Sequence, residues 1–306
     1  MTRLGAALLA VGLLAPAACA PSVDSALGQR PTSYPTVGQQ GSAGAGRSLE
    51  AQLLARSIAA VERALTYHHQ TYASDTAAAQ AFMTPGFAGR WAGVAARLQP
   101  NSAAQRARVE ARVVTAGVSG ATSLRAQVLL FVDRTLQTTS GTESVGGYAV
   151  ATLSNLDGTW LLSGLGLGLP RQQVPERRPV PATVLAAASA VADAYQDVDS
   201  AHPQADVARV LSLSTGAFRR AYEQAAGELV ERVVAARATQ DGAVIATALS
   251  SLRGRHARVL AVVETTLRIP GRQPSSRLVR LQLEMVRTPT AWLARDVSVV
   301  PAPRAG

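Results

Sequence analysis

Val128–Leu136 reads VLLFVDRTL and Val259–Leu267 reads VLAVVETTL. Each is a run of β-branched and apolar residues broken by one acid, Asp133 or Glu264, and each reads as a strand. The two acids stand 131 positions apart. Phe87 and Phe218 have the same spacing; they follow Thr84-Pro85-Gly86 and Thr215-Gly216-Ala217 and precede Arg90-Trp91 and Arg219 to Tyr222. A Trp closes each stretch after a turn, in Asp157-Gly158-Thr159-Trp160 and in Thr288-Pro289-Thr290-Ala291-Trp292, 132 positions apart. Three anchors at one offset, within one residue, predict an internal repeat.

The pattern around these anchors fills in each copy. Leu54, Ile58, Val61, Leu65, His68 and Tyr72 recur at helical spacing, which predicts an amphipathic helix over 48–73. Val184, Leu185, Ala188, Val191 or Ala192, and Tyr195 do the same in the second copy. Short helices are expected near 76–83 and 203–213. A third helix should start after Thr84, with Pro85 at its first position, and after Thr215 in the second copy. Strands are expected at 109–118, 124–136, 145–153 and 160–167, separated by turns at Ser119-Gly120, Gly141 and Asp157-Gly158. The second copy repeats them at 243–250, 256–268, 277–287 and 291–299. Helices followed by an antiparallel meander predict an α+β fold. Two tandem cone-shaped domains follow, at 48–168 and 182–300, each with helices packed on a curved four-stranded antiparallel sheet.

Outside these blocks the composition changes. Residues 20–47 are rich in Pro, Gly, Ser, Gln and Thr, a linker composition with a random-coil reach on the order of 30 Å. Residues 169–181 hold four prolines with Arg171, Arg177 and Arg178 and read as a second linker; 301–306 is a tail. The net charge is +10, and every one of the 30 basic residues is Arg, a bias typical of GC-rich actinobacterial genomes. Such a surface attracts anionic head groups or nucleic acid, yet no run of five arginines and no nucleic-acid-binding motif is present, so no nucleic-acid partner is expected.

Met1-Thr2-Arg3 gives a basic start, Leu4 to Ala15 an apolar segment too short to span a bilayer, and Pro16-Ala17-Ala18-Cys19 follows. The segment resembles a lipoprotein signal peptide, with Pro16 where Leu is usual. In that family the Cys is acylated, which makes Cys19 the lipid anchor at the outer face of the cytoplasmic membrane. An ordinary secretory signal cut at Ala18-Cys19-Ala20 is the other reading. Cys19 is the single Cys, so no internal disulfide can form.

The chain resembles the nuclear-transport-factor-2-like cone fold and, within it, the mammalian-cell-entry (Mce)-associated proteins of actinobacteria. The residues that carry this are the Thr-x-Gly-Phe segment at 84–87, the VLLFVD strand at 128–133 and the Asp-Gly-Thr-Trp-Leu hairpin at 157–161, with Val-Val-Glu and Ala-Trp-Leu at the matching places of the second copy. Members of that family usually carry one domain behind a transmembrane helix; this chain departs from that. The resemblance implies a non-enzymatic accessory role beside an envelope lipid-uptake machine, with envelope protein partners and an apolar ligand. Extracytoplasmic scaffolds of secretion or conjugation channels share the same cone fold and give a further alternative.

Candidate chemistry is sparse. Asp133 and Glu264 are equivalent strand acids. If the face bearing 129, 131, 133 and 135 lined a cone, the acid could act as a general base of an isomerase-like enzyme. Otherwise it is a rim carboxylate paired with Arg134, Arg125 or Arg258. Trp91, Trp160 and Trp292 either line a pocket or plug a core. Arg219, Arg220, Arg253, Arg255 and Arg258 either meet head groups or form a solvated face. His68 and His69, read as neighbours on the first helix, point about 100° apart and do not suit one metal. His202 and His256 stand alone. No metal-ligand spacing, phosphate-binding loop or nucleophile elbow is found, so no metal and no cofactor are expected.

Overall fold

The computed structural model describes residues 49–168 and 182–303. The expected signal peptide at 1–19 with Cys19, the linkers at 20–47 and 169–181, and the tail residues 304–306 lie outside the described residues.

The first half runs α1 (Leu49–Leu65), β1 (Tyr67–His68), α2 (Tyr72–Gln80), α3 (Pro85–Ala104), β2 (Arg108–Ala121), β3 (Arg125–Thr138), β4 (Gly141–Leu156) and β5 (Thr159–Leu167). The second half runs in the same order: α4 (Ala182–Gln196), β6 (Val198–Asp199), α5 (Pro203–Ser212), α6 (Gly216–Ala236), β7 (Thr239–Arg253), β8 (His256–Arg268), β9 (Ser275–Arg287) and β10 (Trp292–Val299). The fold is α+β, with helices on a curved antiparallel sheet. Helix α1 buries Leu53, Leu54, Ser57, Ala60, Val61, Ala64 and Leu65, the i, i+3, i+4 stripe its sequence promised. The β-bulges that bend the sheet over it recur in both halves: β2 shifts register at Val113/Thr115 and Val118/Gly120, and β7 at Val244/Ala246 and Leu249/Ser251. Each half is therefore a cone closed by its own leading helix.

Two local expectations fail for identifiable reasons. The first helix stops at Leu65 rather than at 73. Tyr67 and His68 leave it to pair with Val109 and Arg108, and the His68 amide donates to Asp75 Oδ2 at 3.1 Å. His68 and His69 are thus not on helix one, and the helical spacing that runs through Tyr72 is shared by two separate helices. The expected turn at Ser119-Gly120 is instead the second bulge of β2; the chain reverses at Thr122–Leu124, where Thr122 Oγ1 accepts the amides of Leu124 and Arg125. A lone Gly in a strand marks a bulge as readily as a turn. The Asp157-Gly158 turn is where it was expected, with both residues at positive φ, as a two-residue hairpin loop requires.

The two four-stranded sheets join edge to edge, in the order β10-β9-β8-β7-β2-β3-β4-β5. The join is the pair Val118↔Leu249, positions 131 apart, so each residue meets its own counterpart. This is the geometry of an isologous dimer interface within one chain. Gly117 is required here: a Cβ would lie 3.0 Å from Ala248 Cβ and from the Leu249 backbone. Behind the join, Leu129, Phe131 and Tyr148 of one half pack with Ala248, Leu260 and Val262 of the other in a third core. Strands β3 and β8 are therefore buried on both faces, which is why VLLFV and VLAVV show no polar alternation.

Candidate functional site

Alternation on β3 settles which face is which. Val128, Leu130 and Val132 pack inside the first cone with α1, whereas Leu129 and Phe131 pack in the central core behind the sheet. Asp133 belongs to this second set. On β8, Val259, Ala261 and Val263 face the second cone and Leu260 and Val262 the central core, which puts Glu264 on the back as well. Neither acid lines a cone, so the general-base geometry considered for them is not formed.

Asp133 instead makes an ion pair, though with none of Arg134, Arg125 or Arg258. Its Oδ1 accepts from Arg280 Nη1 at 2.9 Å, across the join between halves. Arg280 is 5% exposed and donates three further hydrogen bonds, to Gly147 O (3.2 Å), Pro301 O (2.5 Å) and Val300 O (3.4 Å), and it lies 5.6 Å from the Phe131 ring. The segment after β10 is held in the same knot, with Ala302 against Gly146, where a Cβ would come within 2.6 Å. The strand register makes Tyr148 the counterpart of Arg280, since Phe131 faces Tyr148 and Val262 faces Arg280. Burial, and next the charge of Glu264, raise the Tyr148 hydroxyl above the usual phenol range.

The first cone is open. A cavity of about 380 Å³ lies at its mouth between the end of α1, the helices α2 and α3, and the sheet. Trp91, Ala64, Ala95, Leu98, Val109 and Leu136 give it apolar walls, and Arg63, Tyr67, Asp75, Arg134 and Glu143 stand at its rim. That volume is in the range of small-molecule sites. Val94, Leu98, Val145 and Leu167 leave 37–49% of their surface exposed around it, so the apolar surface continues onto the outside. Trp91 is half-buried, 6.2 Å from Phe87. Tyr67 stacks edge-on with Tyr72 at 5.0 Å; burial raises the Tyr67 pKa and the Arg134 charge opposes that rise. Trp160 is 6% exposed within the first core and gives its carbonyl to Arg56; Trp292 is half-buried against the second core. Of the three tryptophans, only Trp91 lines this cavity.

The second cone carries rings at the corresponding place. Tyr67 pairs with Val109 and Val198 with Gln240, so Ala64 corresponds to Tyr195, and Trp91 to Tyr222. Tyr195, Phe218 and Tyr222 are 3–5% exposed, with centroids 6.0–6.3 Å apart. Burial pushes the Tyr195 hydroxyl up to about 12, assisted by the Asp296 charge, and raises Tyr222 further. Reasoning from sequence alone missed Ala64 and Leu98, and gave Arg134 only as a partner for the strand acids. A position-by-position comparison of the two copies would have exposed the substitution of Ala64 by Tyr195. Among the described residues no group of three or more His, Cys, Asp or Glu is placed to hold a metal, and no helix is long and apolar enough to cross a membrane.

Residues 149–293 match the family described as "Uncharacterized protein Rv1363c/MT1408-like", a span from β4 to β10 that is a little under half of the chain. No curated protein matches the chain in sequence. Among solved structures, the VirB8 protein of Agrobacterium tumefaciens is 13% identical, covering 44% of this chain and 99% of its own, with a TM-score of 0.36. An IcmL-like type IV secretion system protein of Legionella pneumophila is 13% identical over 41% of this chain and 96% of its own, with a TM-score of 0.36. An Ntf2-like protein involved in plasmid conjugation is 9% identical over 82% of this chain and 96% of its own, with a TM-score of 0.28.

Proposed function

We propose that this protein is an exported, non-enzymatic binding and scaffold protein of the cell envelope, built by duplication of one cone module. The first cone is its binding site, and the second cone with the join is its structural base. The observation that carries this is the difference between the cones: the same chain path is open at Ala64 and Trp91 and filled by Tyr195, Phe218 and Tyr222. An acid in a cone would favour an isomerase-like reading, but Asp133 and Glu264 face the back of the sheet. Cys19, acylated, would tether the body to the outer face of the cytoplasmic membrane through the 20–47 linker. The apolar cavity favours service beside an Mce-type lipid-uptake machine. Its alternative is a scaffold in a secretion or conjugation channel, the setting named for the similar structures; those overlaps are too low to add weight.

The binding reading is tested with the neutral dye N-phenyl-1-naphthylamine and the purified full chain. Dye fluorescence should rise on binding the wild type and stay flat with Ala64→Tyr, which copies the second cone. Equal dye binding by both proteins removes the first cone as the site. In the native host, Cys19→Ala should move the protein out of the membrane fraction; unchanged fractionation removes the lipid anchor. Cross-linking from Leu98 then separates the two settings by whether a lipid-uptake subunit or a channel subunit is joined.

A further inference from the structure

We propose that the ligand of the first cone is a long-chain carboxylate, held with its hydrocarbon against Trp91 and its head group at Arg134. This rests on the open-cone reading above and names the class of ligand.

The cavity wall offers almost nothing to a polar guest. Its interior polar groups are already engaged within the protein: the Tyr72 hydroxyl donates to Ala95 O at 3.1 Å, the Thr76 hydroxyl to Tyr72 O at 2.8 Å, and Thr66 Oγ1 accepts the Ala111 amide at 3.1 Å. A peptide inserted there would leave its own amides and carbonyls unpaired, at about 1–3 kcal/mol for each buried group. A hydrocarbon chain has no such groups and gains by leaving water. The wall therefore selects an apolar arm over a polypeptide.

The rim selects charge. Arg134 sits on the cone-facing side of β3, paired across the sheet with Val145, and is exposed at the mouth. Its guanidinium lies near enough to Tyr67 for its charge to act on that hydroxyl. The other rim cation, Arg63, is 3.9 Å from Asp75, which also accepts from Thr71 and the His68 amide. Arg134 is thus the cation left for a guest, with the Tyr67 hydroxyl as a second donor. Its counterpart in the filled cone is Thr265, 1% exposed, and that of Arg63 is Ala194. At these two positions the open cone carries arginines and the filled cone does not. Glu143, exposed at the same rim, opposes an anionic head and sets a limit on its affinity.

The test titrates the full chain with sodium dodecanoate and with methyl dodecanoate at pH 8, below micelle formation, reading displacement of the neutral dye. The carboxylate should bind roughly three- to tenfold tighter than its ester. Arg134→Gln should erase that ratio, Arg134→Lys should keep most of it, and Glu143→Gln should raise it. Equal binding of acid and ester by the wild type overturns the carboxylate assignment and leaves the open cone standing. A preference for the acid that survives Arg134→Gln overturns the placement of the head group. Dodecanoate binding that persists in Ala64→Tyr, or no displacement by either compound, overturns the proposal as a whole.

Discussion

At one place in each half of this molecule the chain makes opposite choices. Ala64 and Trp91 leave a cavity of about 380 Å³ at the mouth of the first cone, while Tyr195 and Tyr222 stand at the same positions of the second and join Phe218 in a buried cluster. The backbone, the bulges and the N-cap threonines are shared. The difference in side-chain volume lies at one position, Ala64 against Tyr195, since Trp91 is no smaller than Tyr222 and Phe87 matches Phe218, and it separates a cavity from a packed cluster of rings. If the first cone binds as proposed, two halves of like topology divide the work, one packed for stability and the other left open.

The largest effect that would break this comparison comes from its matched pair of aromatics. Tyr222→Ala should cost about 3–5 kcal/mol in urea unfolding, because it opens a void in a packed core. Trp91→Ala should cost only about 1–2 kcal/mol, because Trp91 already faces a cavity and solvent. Equal costs would mean that the first cone is as tightly packed as the second.

A somewhat smaller effect belongs to the join. Arg280→Leu leaves Asp133 without its partner and frees the segment at 300–302, and should cost about 3 kcal/mol. Asp133→Asn/Arg280→Leu together should cost less than the sum of the single changes, since the charge left behind is then gone. Additive costs would show that the pair does not couple the halves.

The smallest effect is in alkali. A tyrosine whose folded pKa lies near 12 against about 10 unfolded stabilises the fold fully below pH 10, and that contribution fades as pH rises through 12. The amount at stake for Tyr195 is at most about 3 kcal/mol. Tyr195→Phe should flatten the decline of stability between pH 10 and 12. An unchanged alkaline limb would place Tyr195 in contact with water and undo the account of a ring-filled cone.

How much of this could be read in advance follows from the kind of interaction involved. The strands at 256–268 and 277–287 and the caps at Thr84 and Thr215 were legible, because β-branching, turn residues and N-caps act over a few neighbours. The end of helix one was not, because Tyr67 and His68 leave it for a strand partner some forty residues away. The direction of Asp133 was not legible either. Alternation puts 129, 131 and 133 on one face but does not say which side that face covers; the sign of a second covered face is the absence of polar alternation in VLLFV.

The sequence by itself determined the element order, the 131-residue internal period and the strand on which each key residue sits, because these depend on local backbone preference and on spacing. Tertiary structure alone decided that the two sheets meet at Val118 and Leu249, that Asp133 answers an arginine 147 residues further along the chain, and that one cone is open and the other filled. Those outcomes depend on how side-chain volumes add up across elements distant in sequence, and no local pattern encodes such a sum.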